Sequence, residues 1–281
     1  MIKVGKFAGF CGGVTNSVTK TEKYLEEYKK LYCLGELVHN KQVIESLEAI
    51  GLKTIESLSE VDDNSTVIIR AHGVANTIYE EAKDRNINLL DLTCPKVLKI
   101  HDKVSEYKDK NYFIILVGSK IHPEVIGTIS FCGNKSIVIE NLEELEELLK
   151  EIKDNNYQDV VIFAQTTIKE SLFNEIVEKL KEKINNLVVE NTICNATHLR
   201  QQECLEMAKS NDCMIIIGGK NSSNTKKLYE VSISVCPNTY LVETYKELDF
   251  EELNKYQNIG IMAGASTPKE SIDEVYNRIK K

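Results

Sequence analysis

The chain has 281 residues, 42% of them hydrophobic and 28% charged, with 14 Gly and 4 Pro, a balance that excludes a disordered or collagen-like protein. A formal net charge of −8 argues against broad binding to nucleic acid, which requires a basic face, yet leaves room for a small anion held by backbone N–H groups. The length predicts two or three compact units. With neither a signal-like start nor an apolar run long enough for a membrane span, the expectation is a cytoplasmic protein with no membrane partner, its 8 cysteines kept as thiols.

In chain order, apolar runs rich in Ile and Val recur as LYCLGEL from Leu31, TVIIRAHG from Thr66, YFIILVGS from Tyr112, DVVIFAQT from Asp159, CMIIIGG from Cys213 and NIGIMAG from Asn258. Each predicts a strand buried in a parallel sheet. Between them, Val43, Ile44, Leu47 and Ile50 trace one amphipathic helix with Gly51 as its C′ residue, and Leu142, Leu145, Leu148, Leu149 and Ile152 trace another. Alternating strands and helices give an α/β class. The segments GFCGGV, LTCPKV and TICNAT each set a cysteine after an apolar run and before a helical pattern, at Cys11, Cys94 and Cys194. This repetition predicts three similar lobes, drawn here as 1–95, 96–193 and 194–281.

Open α/β sheets bind ligands beyond the carboxyl ends of their strands. The residues there are His39, His72, His122 with Glu124, Gln165 with Thr166 and Thr167, Asn221 to Thr225, and Ser266 with Thr267. A single histidine at a strand end usually has a hydrogen-bonded structural role, but three at comparable places favour a shared ligand. His101 and His198 fall inside helical patterns and are read as packing or surface residues. GGKNSSNT and GASTPKE each turn from a strand into a helix, where N–H groups and hydroxyls can cradle an anion. Ordinary N-capping explains either segment alone: in the second, Thr267 caps, Pro268 takes the first helical position and Glu270 closes a capping box. Glu124 is either a helix-start carboxylate or, in a dry site, a proton donor with a raised pKa. Cys11, Cys94 and Cys194 lack tight C-x-x-C spacing, but one thiolate per lobe suits a soft metal centre. Cys33 and Cys213 lie in apolar runs and are read as core residues.

The motifs GFCGGV, GELVHN, RAHGV, DLTCPKV, HPEVIGT, AQTT, NTICNAT followed by RQ, GGKNSSNT and AGASTP run the length of the chain. In this order they resemble the IspH or LytB family of hydroxymethylbutenyl diphosphate reductases. The resemblance implies three α/β lobes in a trefoil around one 4Fe–4S cluster held by Cys11, Cys94 and Cys194, with the fourth iron open to substrate. It implies reductive dehydroxylation of an allylic diphosphate to isopentenyl and dimethylallyl diphosphate, the last step of the non-mevalonate route. Glu124 is then the proton relay and Thr166 orients it and the hydroxyl. His39, His72, His122, Ser222, Asn224 and Ser266 hold the diphosphate, with a contribution from Ser223. The expected electron donor is an external ferredoxin or flavodoxin. Lys96 and Leu98 after Cys94, and Lys120 before Ile121, depart from what the resemblance leads one to expect. A non-catalytic iron–sulfur redox sensor is the alternative from another class, but it leaves Glu124, Thr166 and the NSSNT and GAST segments unexplained. A zinc phosphohydrolase using the histidines is a further rival.

Overall fold

The computed structural model describes residues 1–280. In chain order the elements are β1 (Ile2–Val4), α1 (Gly12–Glu27), β2 (Leu31–Leu34), α2 (Lys41–Ala49), β3 (Leu52–Ile55), β4 (Thr66–Ile69), α3 (Asn76–Asp84), β5 (Asn88–Asp91) and α4 (Pro95–Asp109). There follow β6 (Phe113–Val117), α5 (Pro123–Cys132), β7 (Ser136–Ile139), α6 (Leu145–Asp154), β8 (Val160–Ala164), α7 (Glu170–Lys181), β9 (Leu187–Glu190) and α8 (Asn195–Ser210). The last are β10 (Cys213–Ile217), α9 (Ser223–Ile233), β11 (Thr239–Val242), α10 (Phe250–Leu253), β12 (Ile259–Ala263) and α11 (Lys269–Ile279).

The strands form three four-stranded sheets in the orders β3-β2-β4-β5, β7-β6-β8-β9 and β11-β10-β12-β1. The assigned pairs are parallel. All three sheets share one pattern. The first strand in the repeat lies beside the third, the second flanks the first, and the fourth flanks the third. In the last sheet β1 takes the fourth place, its Ile2, Lys3 and Val4 opposite Ile259, Gly260 and Ile261 of β12. The N-terminal strand therefore completes a sheet built mostly from residues 213–263, whereas consecutive lobes placed it in the first.

By contacts the chain divides into two compact units. One comprises Met1–Lys23, Glu36–Leu52 and the chain from Asn195 onward, and the other comprises Tyr24–Gly35 and Lys53–Cys194. The first packs β10 and β12 against α11 through Ile215, Ile217, Ile261, Ile272 and Val275. The second contains two sheets, one with a core of Leu34, Val67, Ile69 and Ile87, the other with Ile115, Val117, Ile162, Phe173 and Leu180. Every residue of β6, β8, β10 and β12 is buried, as a strand covered on both faces requires. Gly51 has φ +114 just beyond the C-cap of α2, the left-handed C′ position expected of it. Among the described residues no helix is long and apolar enough to cross a membrane.

Candidate active site

In each sheet the first and third strands are neighbours; from β2 and β4, and from β6 and β8, the chain runs on to flanking strands on opposite sides, which makes the space beyond their carboxyl ends a topological switch point, while β12 leads into α11. The loops after these strands carry the polar residues singled out in the sequence. His39, His122 and Ser222 occupy the same place after β2, β6 and β10, while His72 and Ser266 match after β4 and β12, where the corresponding residue past β8 is Thr167. The three cysteines follow the fourth strands β5, β9 and β1. Their amides donate to equivalent carbonyls past the third strands: Cys94 to Ala71 at 3.0 Å, Cys194 to Thr166 at 3.0 Å and Cys11 to Ala265 at 3.1 Å. Each cysteine's backbone is thus tied to the loop that bears His72, Thr167 or Ser266.

The unit formed by Tyr24–Gly35 and Lys53–Cys194 holds His72, Cys94, His122, Glu124, Thr166 and Cys194. His122 caps α5 and Pro123 takes its first turn. The Glu124 N–H donates to His122 Nδ1 at 3.1 Å, so a neutral His122 ring keeps its proton on Nε2. The rings of His72 and His122 meet edge to face with centroids 5.4 Å apart. Glu124 is only 3% exposed. Its two carboxyl oxygens accept from the Thr166 N–H and the Thr166 hydroxyl, both at 2.6 Å. Burial pushes the Glu124 pKa above the usual carboxylate range, and the two Thr166 bonds oppose that shift without cancelling it. Glu124 is therefore no solvated helix-start charge.

Gln165, noted in the sequence only as a polar strand-end residue, ties this arrangement together. Its side-chain oxygen accepts from Ser119 N at 3.0 Å and its amide donates to Thr167 Oγ1 at 3.1 Å, joining the loop that leads to His122 with the turn that carries Thr166.

The other unit holds Cys11, His39, Ser222, Ser223, Asn224 and Ser266. Ser222 caps α9 by accepting from Thr225 N at 3.4 Å, while Ser223 is part-exposed. Asn224 is 5% exposed and its side-chain amide nitrogen has no hydrogen-bond partner, a buried donor aimed at nothing the protein supplies. Ser266 donates to the His39 carbonyl at 3.0 Å. A Cβ on Gly219 would come within 2.6 Å of that carbonyl, so only glycine allows the two loops to approach so closely. Glu36 accepts from Asn221 Nδ2 at 3.2 Å and lies 3.1 Å from His39 Nδ1. The sequence reading missed Glu36, although its spacing of three from His39 was the available signal.

One expectation is overturned. Pro268, not Thr267, is the N-cap of α11, and it makes no side-chain cap bond. The Thr267 hydroxyl instead donates to the Ile217 carbonyl at 3.0 Å, binding the ends of β10 and β12. His101 is a packing residue as expected, buried and stacked on Phe131 at 4.4 Å.

None of the eight cysteines forms a disulfide, and exposure sorts them. Cys11, Cys94 and Cys194 are part-exposed, whereas Cys33, Cys132, Cys204, Cys213 and Cys236 are buried. Burial pushes the thiols of Cys33, Cys132, Cys204 and Cys213 up to about 12, so they remain protonated and unsuited to ligation. The three part-exposed thiols are the ones that stand just before a helix, where the fourth strand of each sheet leads on.

The family model described as LytB protein matches residues 2–280. A 4-hydroxy-3-methylbut-2-enyl diphosphate reductase of Clostridioides difficile is 46% identical over 275 residues, covering 98% of this chain and 97% of that protein. The reductase of the same name from Aquifex aeolicus is 41% identical over 284 residues, covering 100% and 96%. A solved structure of (E)-4-hydroxy-3-methyl-but-2-enyl diphosphate reductase, described as the terminal enzyme of the non-mevalonate pathway, is 41% identical with a TM-score of 0.72, covering 99% of this chain and 98% of that one. The E-1-hydroxy-2-methyl-but-2-enyl-4-diphosphate reductase of Plasmodium falciparum is 32% identical with a TM-score of 0.94, covering 100% and 88%.

The burial of Glu124 has a signature in stability. Its folded pKa lies above the value of about 4.3 in the unfolded chain, so the stabilisation from its bound proton is complete below that pH and is lost as pH rises through the folded value. Urea midpoints of wild type and Glu124→Gln, measured across this range, are expected to diverge in favour of the variant as pH rises.

Proposed function

The chain belongs to the LytB protein family, and from that premise we propose that it is a 4-hydroxy-3-methylbut-2-enyl diphosphate reductase, the enzyme that closes the non-mevalonate route to isoprenoid precursors. The reaction breaks the allylic C–O bond. Two electrons and two protons enter, water leaves, and the carbon skeleton departs as isopentenyl or dimethylallyl diphosphate. The observation that carries this reading is the buried Glu124 carboxyl with both oxygens held by Thr166.

Cys11, Cys94 and Cys194 would hold one 4Fe–4S cluster as thiolates, with no protein ligand on its fourth iron. When bound, the cluster supplies single electrons and an open Lewis-acid position for the allylic oxygen. The chain's own residues do the rest. Glu124, whose carboxyl holds its proton more tightly because it is buried, donates to the departing hydroxyl. Thr166 fixes the carboxyl through its N–H, and its hydroxyl can turn to accept from the protonated form or donate to the carboxylate without either residue moving. His39, His72, His122, Ser222, Asn224 and Ser266 hold the diphosphate, with Ser223 assisting. The Asn224 amide supplies a donor that would otherwise stay buried and unpaired. Binding energy from this remote group is spent on positioning the reacting carbon. The electrons come from an external ferredoxin or flavodoxin, and the expected setting is the cytoplasm.

The test is anaerobic turnover of hydroxymethylbutenyl diphosphate with reduced viologen after reconstitution with iron and sulfide. Glu124→Gln is expected to keep the visible spectrum and lose activity by about 100-fold or more. A cluster-loaded wild type that turns over nothing contradicts the reading and favours the redox sensor. In the same assay Asn224→Ala is expected to raise the substrate KM about tenfold while changing kcat little, since it removes binding common to ground and transition states.

A further inference from the structure

Lys96 and Leu98, which the resemblance leaves unexplained, stand on the exposed side of the first turns of α4, the helix whose N-cap is Cys94. Pro95, Lys96, Leu98 and Lys99 are all exposed there, Leu98 at 37%, while Val97, Ile100, His101 and Val104 bury the opposite face and fix the helix in place. A rise of about 1.5 Å per residue sets these exposed side chains within two turns of the thiol.

The charge is unusual for its position. The first turn of α4 contains no acidic residue, and a lysine there opposes the helix dipole. Lys103 pairs with Glu190 one turn further on, but among the described residues neither Lys96 nor Lys99 has an ion-pair partner. The helices that follow the other two cysteines differ. The first basic residue of α1 is Lys20, beyond its second turn. In α8 the early cation is Arg200, buried and bonded to the carbonyls of Ala196 at 2.9 Å and Gly9 at 2.6 Å. Of these three helices, α4 alone begins with exposed, unneutralised cations around an exposed leucine.

We propose that the Lys96, Leu98 and Lys99 face of α4 is the docking surface for an acidic one-electron carrier protein of the ferredoxin class. This rests on the reductase reading above, which requires such a carrier. Each encounter passes one electron and leaves the carrier oxidised by one, so two encounters supply the pair that the reaction consumes. On a chain of net charge −8, an acidic partner is repelled by most of the surface, and a small basic and apolar patch beside a cluster thiol decides where it lands. Small, salt-sensitive interfaces are usual for such redox encounters.

The experiment compares anaerobically reconstituted wild type with K96E/K99E and with K150E/K153E, whose exposed lysines lie on α6 and whose net charge changes equally. Binding of an oxidised acidic ferredoxin is titrated at low and high salt, and turnover is driven by reduced ferredoxin or by reduced viologen. K96E/K99E is expected to weaken ferredoxin binding and raise its KM by about tenfold at low salt, with the gap closing at high salt. Its viologen-driven turnover, substrate KM and cluster reduction potential should match wild type, and K150E/K153E should match throughout. Equal weakening in both variants, or unchanged ferredoxin binding in K96E/K99E, overturns the docking surface. So does a shifted cluster potential with ferredoxin affinity intact, which would make the lysines tuners of the cluster. A wild type without viologen-driven turnover refutes the reductase reading separately, and the binding titration still decides the surface.

Discussion

A carboxyl group removed from water, with both oxygens claimed by one threonine, is the constraint around which this site is built. Burying an ionised carboxylate costs several kcal/mol unless donors meet it, and the N–H and hydroxyl of Thr166 are the donors that meet Glu124. Burial outweighs the two bonds, so the Glu124 pKa stays above its ordinary value. An acid that keeps its proton above the ordinary carboxylate range, yet can release it into a ready-made hydrogen-bond pair, suits proton delivery to a poor leaving group. Holding that geometry takes several elements at once. His122 caps the helix that starts at Pro123, and Gln165 ties the loop before it to the turn that carries Thr166.

The repeated sheet explains why such residues fall where they do. In each copy the two central strands end side by side, and the fourth strand leads to a cysteine whose amide bonds to the loop after the third. The equivalence of Ala71, Thr166 and Ala265 as acceptors shows how one backbone frame can carry different chemistry. At the next position the side chains are His72, Thr167 and Ser266. The third copy is closed by the chain's own beginning, since β1 supplies its fourth strand and leads to Cys11. The thiols that follow the fourth strands are part-exposed, while those placed inside strands and helices are buried, which raises the pKa of Cys33 and Cys213.

How far the sequence could be read follows from burial. The six apolar runs recognised at the outset are β2, β4, β6, β8, β10 and β12, the central pair of every sheet, where coverage on both faces writes a continuous hydrophobic run. The six flanking strands escaped notice because they are only partly covered, as in the Ile2–Val4 and Asn88–Asp91 strands. Placing β1 in the first lobe was the natural consequence, for nothing in Ile-Lys-Val reveals a partner more than 250 residues away. Histidines and serines just beyond the apolar runs were legible by position alone. The pairing of Glu124 with Thr166 was not, since it joins residues 42 apart through the neighbouring strands β6 and β8, and only coordinates show that the carboxyl is dry. Thr267 misled because a threonine before Pro-Lys-Glu reads as a cap, while the fold uses its hydroxyl to bind Ile217.

The central claim is that the proton used in the reaction resides on Glu124 in the free enzyme. The most direct measurement is the pH dependence of kcat/KM with a viologen donor for wild type, Thr166→Val and Glu124→Gln. The account predicts a wild-type profile that falls on the alkaline side at a pKa above the ordinary carboxylate range, a fall displaced upward in Thr166→Val, and its absence from the residual activity of Glu124→Gln. An alkaline limb that persists unchanged in Glu124→Gln would contradict it and place the proton on another group.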